Sequence, residues 1–178
     1  HCMVSATITG TPCIAFDNLS GKVKNVYKWI ESLGYVRFCE DVSELNQLLN
    51  EIIAIQKMHN SENCFISLQG DMLSGNIHKT IQVTNRENVI EQIKMASELI
   101  SSFCYELSKV FNRVYMSSVV GNHSRMDRKD DALHDERLDD IISWGVELSL
   151  KHIDNFCILN KKFDSGIAEM NIRNKIYI

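Results

Sequence analysis

Two short apolar runs, Cys64-Phe65-Ile66-Ser67-Leu68 and Val114-Tyr115-Met116-Ser117-Ser118-Val119-Val120, are each followed by glycine and a polar, ligand-type side chain. Gly70-Asp71 follows the first, and Gly121-Asn122-His123 follows the second. Between them Val89, Ile90, Ile93, Ala96, Leu99, Ile100, Phe103, Leu107, Val110 and Phe111 recur at helical spacing. A helix joining two buried strands is the crossover that makes those strands parallel. The pattern therefore confines the chain to an α/β class with a mainly parallel sheet. In such sheets ligands bind beyond the carboxyl ends of the strands, which puts Asp71 and Asn122 on one rim.

The rest of the chain continues the alternation. Residues 11–16 read as a strand, 23–33 as a short helix and 35–39 as a second strand. Asp41-Val42-Ser43-Glu44 has the form of a capping box, and Leu45, Leu48, Leu49, Ile52, Ile53 and Ile55 continue an amphipathic helix to about Met58. Ser124 to Asp140 is highly charged and reads as solvated. Ile141 to Leu150 reads as a helix and 156–159 as a strand. Residues 167–172 and 175–178 read as a hairpin around Arg173-Asn174. Trp29 and Trp144 sit on apolar helical faces and are expected in the core.

Composition narrows the function classes. The 178 residues are 44% apolar and carry 19 basic against 23 acidic side chains, which excludes a disordered chain and a generally basic nucleic-acid coat. No apolar run reaches the roughly 18 residues that cross a bilayer, so no membrane partner is expected. The six cysteines include no C-x-x-C pair. A zinc ribbon is thereby disfavoured, and reduced, buried thiols in a cytoplasmic protein are expected, above all for Cys13, Cys64, Cys104 and Cys157. His1 stands where a methionine would, and a strand still runs at Ile178, so both ends read as cut.

An aspartate bridges hard or borderline cations, an asparagine amide oxygen completes a coordination sphere, and a histidine beside them gives or takes a proton. Gly70-Asp71 and Gly121-Asn122-His123, each after a strand and with a helix between, resemble the calcineurin-like metallophosphoesterases. Gly70-Asp71-Met72-Leu73-Ser74-Gly75-Asn76-Ile77-His78 and Gly121-Asn122-His123-Ser124-Arg125 are similar to a phage and bacterial branch of that family. The resemblance covers residues 46–178, about three quarters of the chain. It implies a partial α/β/α sandwich and phosphodiester hydrolysis, with nucleic acid as the substrate. It also implies a site for two divalent ions of Mn, Fe, Zn or Ni type. Carried over by position, Asp71 would bridge the ions, Asn122 would bind one, and His123 would be the catalytic acid or the oxyanion stabiliser. Arg125 and His78 would touch substrate, with Arg128 and Lys129 as further phosphate holders. The family's D-x-H before G-D is absent, since Asp17-Asn18-Leu19 has leucine in the histidine's place. Its G-H-x-H is absent too, and His134 and His152 do not clearly follow strands. The sequence sets no oligomeric state.

Residues 1–41 differ from that family. His1-Cys2-Met3 and Ala6 through Gly10-Thr11-Pro12 resemble the C-terminal part of polysaccharide pyruvyl transferases, with a junction near residues 40–47. A gene fusion, a rearranged locus or a misassembled sequence would each produce it. On this reading the strand at 13–16 replaces the phosphoesterase's first strand and lies beside the strand at 64–69. The alternative functions are a pyruvyl-transferase remnant, moving pyruvyl from phosphoenolpyruvate to a surface polysaccharide, and a non-catalytic relic.

Overall fold

A computed structural model describes residues 13–16, 22–33, 36–39, 42–77, 83, 85–127, 136–159, 162–164 and 166–177. The chain divides into two compact units, residues 1–52 and 53–178. His1, Asp17, Asp41 of the expected capping box, His78, Arg128, Lys129 and His134 lie outside the described residues.

In the first unit β1 (Cys13–Phe16) and β2 (Val36–Cys39) form a parallel pair in register from Cys13 with Val36 to Phe16 with Cys39. They are joined through α1 (Lys22–Ile30) and a 3-10 turn at Glu31–Leu33. The Tyr27 and Phe38 rings stack at 5.3 Å. Among the described residues β1 and β2 form a two-stranded sheet. Trp29, expected in the core, is 86% exposed. Helix α2 (Val42–His59) crosses the division between units. Leu45, Leu48 and Leu49 are buried at helical spacing near its start.

The second unit is built on three parallel strands in the order β3 (Asn63–Leu68), β4 (Arg113–Ser118), β5 (Phe156–Ile158). Helix α3 (Val89–Ser108) connects β3 to β4, and α4 (Leu138–Leu150) connects β4 to β5. Both crossovers step in the same direction along the sheet, and right-handed crossovers that do so lay their helices on one face. The core agrees. Cys104 of α3, Val146 and Leu150 of α4 and Met116 of β4 form one buried cluster, with Ile66, Leu68, Phe156 and Ile158 against it. The opposite face carries the stacked rings of Phe65 and Tyr115, 4.8 Å apart. The described part of this unit is thus an α/β arrangement with a parallel three-stranded sheet, as expected of the class.

The α3 start is capped by Asn88, whose side chain accepts from the Glu91 backbone N–H at 3.0 Å. The end of α3 is tied to β5: the Asn155 amide donates to the Ser108 and Phe111 carbonyls at 2.8 and 3.0 Å. Helix α4 begins three residues before the apolar pattern does, and Trp144 is 60% exposed rather than buried. The core stripe of α4 is Ile142, Val146 and Leu150, and Trp144 falls off that stripe. Beyond β5, β6 (Lys162–Asp164) pairs antiparallel with β7 (Ile167–Ala168). The hairpin of β8 (Met170–Ile172) and β9 (Lys175–Tyr177) turns on Arg173 and Asn174, both at positive φ. No helix among the described residues is long and apolar enough to cross a membrane.

The cysteines separate by depth. Burial, with Cys64 nearby, pushes the Cys104 thiol up to about 12, and burial pushes Cys64 up to about 11. Cys157 is exposed, against expectation, because it points away from the helix-covered face of the edge strand β5. At about pH 8 a thiol reagent is expected to modify Cys157 quickly, and Cys104 only as the chain unfolds. Peptide mapping reads this directly, and native-state labelling of Cys104 as fast as Cys157 would contradict the buried assignment.

Candidate functional site

The parallel register pairs Leu68 with Ser118, so β3 and β4 end level. One further backbone bond, Val119 N–H to the Leu68 carbonyl at 3.0 Å, closes the sheet there. The two loops that leave these ends then turn across each other. Gly70 has φ +73°, and a Cβ on it would lie 2.5 Å from the Gly121 backbone nitrogen. Only glycine permits so close a crossing of main chains. Asp71 follows at φ +53°, a left-handed conformation that aspartate tolerates better than most residues.

The crossing brings the Asp71 carboxylate against the main chain of His123, with Asn122 the preceding residue. The His123 backbone N–H donates to Asp71 Oδ1 at 2.8 Å. His123 Nδ1 lies 3.2 Å from the Ser74 carbonyl, which only accepts, so this contact places the ring proton on Nδ1 and leaves Nε2 as the acceptor in the neutral ring. Asp71 and Asn122 are exposed and His123 is half-buried. Arg125 Nε donates to the Asn122 carbonyl at 2.8 Å, holding the Arg125 stem against this loop. Ser124, fully buried, donates from its hydroxyl to the Gly121 carbonyl at 3.1 Å.

Three residues missed at the sequence level complete the arrangement. Asp139, in the first turn of α4, is 0% exposed. Its Oδ2 accepts from the backbone N–H groups of Gly121 at 2.7 Å and Asp71 at 3.1 Å, and its Oδ1 from that of Met72 at 3.2 Å. Gln92 of α3 accepts at Oε1 from the Ser74 and Gly75 N–H groups at 3.1 and 3.3 Å, and donates from Nε2 to the Glu87 carbonyl at 2.9 Å. Arg137 pairs backbone to backbone with Arg125, and its Nε and Nη1 are shielded from solvent with no hydrogen-bond partner among the described residues. The signal for Asp139 was present. Residues 139, 142, 146 and 150 share one helical face, but the charged context of Glu136 to Asp140 suggested solvent.

Asp71 and Asn122 supply hard oxygen donors, and Asp71 has one carboxylate oxygen not engaged by His123. Donors of this type are those a divalent ion takes, and two of them leave most of one ion's coordination sphere, and all of a second ion's, to further donors. Among the described residues no group of three or more His, Cys, Asp or Glu side chains gathers in a metal-holding arrangement.

No family model matches the chain. No solved structure matches it. Among curated proteins, General stress protein 30 of Bacillus subtilis (strain 168) is 38% identical over 56 residues. That similarity takes in 30% of this chain, which spans only 16% of the length of the stress protein.

Proposed function

We propose that the rim of Asp71, Asn122 and His123 is the site of a metal-dependent phosphoesterase acting on phosphodiesters, with nucleic acid as the substrate class. The observation that carries this reading is the bond from the His123 backbone N–H to Asp71 Oδ1 at 2.8 Å, which joins the two strand-end motifs into one site. Asp71 and Asn122 would hold a divalent ion of Mn, Fe, Zn or Ni type. When bound, such an ion supplies Lewis acidity toward a phosphoryl oxygen and lowers the pKa of water.

The chain's own residues account for the remaining needs of the reaction. With Nδ1 committed to Ser74, His123 has Nε2 left to carry the proton that a departing alkoxide requires. Arg125 donates from Nε to the Asn122 carbonyl, and its terminal nitrogens would be the group that meets a phosphate oxygen. The cationic charge at Arg125 and Arg137 offsets the carboxylates of Asp71 and Asp139 as a phosphodiester approaches.

The test is hydrolysis of bis(p-nitrophenyl) phosphate by the purified chain against Mn²⁺ concentration. Activity is expected to rise with Mn²⁺, to vanish with chelator and to be abolished in Asp71→Ala. In His123→Ala, kcat is expected to fall by about 10²–10⁴-fold, the usual contribution of a general acid. Equal rates in the unsubstituted chain and Asp71→Ala would overturn the reading.

A further inference from the structure

We propose that Asp139 and Gln92 are positioning residues with separate tasks: Asp139 sets the geometry of the ion-holding residues, and Gln92 sets the orientation of His123. The proposal rests on the phosphoesterase reading above and assigns roles to two side chains that touch neither ion nor substrate.

Asp139 lies entirely out of solvent, where a carboxylate persists only if donors meet it. Three backbone N–H groups do so, and all three belong to the loops that carry the proposed ligands. Oδ2 spans the gap between them, since it accepts from Asp71 on the β3 loop and Gly121 on the β4 loop at once. One carboxylate oxygen therefore fixes the separation of Asp71 from Asn122, which immediately follows Gly121. Asp139 is itself anchored in the first turn of α4, where the helix dipole favours negative charge. Ser143 ties the same turn to the end of β4, donating to Ser118 Oγ at 2.7 Å. The clamp is thus built on a helix and a strand rather than on the loops it holds.

Gln92 acts on the other branch. Its Oε1 holds the Ser74 and Gly75 N–H groups, which fixes the peptide whose carbonyl meets His123 Nδ1. Asn85 adds a bond to the Gly75 carbonyl at 2.9 Å. Neither residue bonds Asp71, so this branch bears on the imidazole and not on the ion.

The experiment compares Asp139→Asn, Asp139→Ala and Gln92→Ala with the unsubstituted chain. Mn²⁺ binding is measured by electron paramagnetic resonance on folded protein, and His123 ring nitrogens are observed by long-range ¹H–¹⁵N correlation. Asp139→Asn keeps the size of the side chain, so it decides the matter where Asp139→Ala does not fold. Loss of such a supporting contact is expected to raise the Mn²⁺ Kd by about 10–100-fold in Asp139→Asn, with the His123 tautomer unchanged. Gln92→Ala is expected to leave the Mn²⁺ Kd where it was and to release the Nδ1 tautomer preference. An unchanged Kd in Asp139→Asn, or an unchanged His123 spectrum in Gln92→Ala, overturns the assigned role. Absence of Mn²⁺ binding by the unsubstituted chain overturns the phosphoesterase reading, and this proposal with it.

Discussion

Gly70→Ala is expected to break the crossing of the two rim loops and to remove both metal binding and activity. The methyl group would meet main chain on every side: the Gly121 nitrogen at 2.5 Å, the Val120 carbonyl carbon at 2.7 Å and the Gly121 Cα at 2.8 Å. A flexible side chain would swing away, but these atoms are held by the Asp139 carboxylate and by the end of the sheet. The backbone at φ +73° adds a left-handed penalty of about 1–2 kcal/mol for a residue with a Cβ. The sum places the substitution in the severe class, at roughly 4 kcal/mol or more. Urea unfolding of the variant reads it as a lower midpoint. A midpoint within experimental error of the unsubstituted chain would show that the loops do not cross as described. Gly121 meets the same limit from the other side, because a Cβ there would collide with the Asp71 nitrogen and carboxylate.

Met116→Ala is expected to cost about 2–5 kcal/mol, the range for truncating a buried methionine to alanine. Met116 is 0% exposed on the central strand, and both helices close over it through Cys104, Val146 and Leu150. Among the described residues three strands share this sheet, and the close-packed cluster around Met116 has limited freedom to fill the resulting void. Against a total stability of about 5–15 kcal/mol, the loss is a large fraction. Met95, 56% exposed on α3, provides the contrast, since its truncation is expected to stay within about 0.5 kcal/mol. Equal effects at the two positions in thermal or urea unfolding would contradict the placement of the core beneath α3 and α4.

Much of the second unit was legible from residue pattern. The strands at 64–68 and 114–120, the helix between them and the hairpin around Arg173-Asn174 all formed close to where periodicity and turn residues place them. Boundaries moved where local chemistry outweighed apolar spacing. Helix α3 stops at Ser108, whose carbonyl is met by Asn155 from a distant segment. Helix α4 reaches back to Leu138 because Asp139 has backbone donors to receive it. Trp144 read as core from its neighbours along the chain, but α3 and the sheet meet α4 through Ile142, Val146 and Leu150 instead.

Asp71, Asn122 and His123 could be picked out because their chemistry is local. A strand end, a glycine and a donor side chain lie within a few residues of each other, and the parallel register of β3 with β4 follows from the helix between them. Asp139, Gln92 and Arg137 could not be picked out in that way. Their significance depends on which backbone groups the fold brings to face them, as with Asp139 and the N–H groups of Gly121 and Asp71, 18 and 68 residues away in sequence. A carboxylate amid charged neighbours reads as solvated until folding removes its water and replaces it with three main-chain donors. That exchange of partners is a property of the packed loops and helices: the spacing of residues 139, 142, 146 and 150 marks a shared helical face, and the fold decides which donors meet Asp139 there.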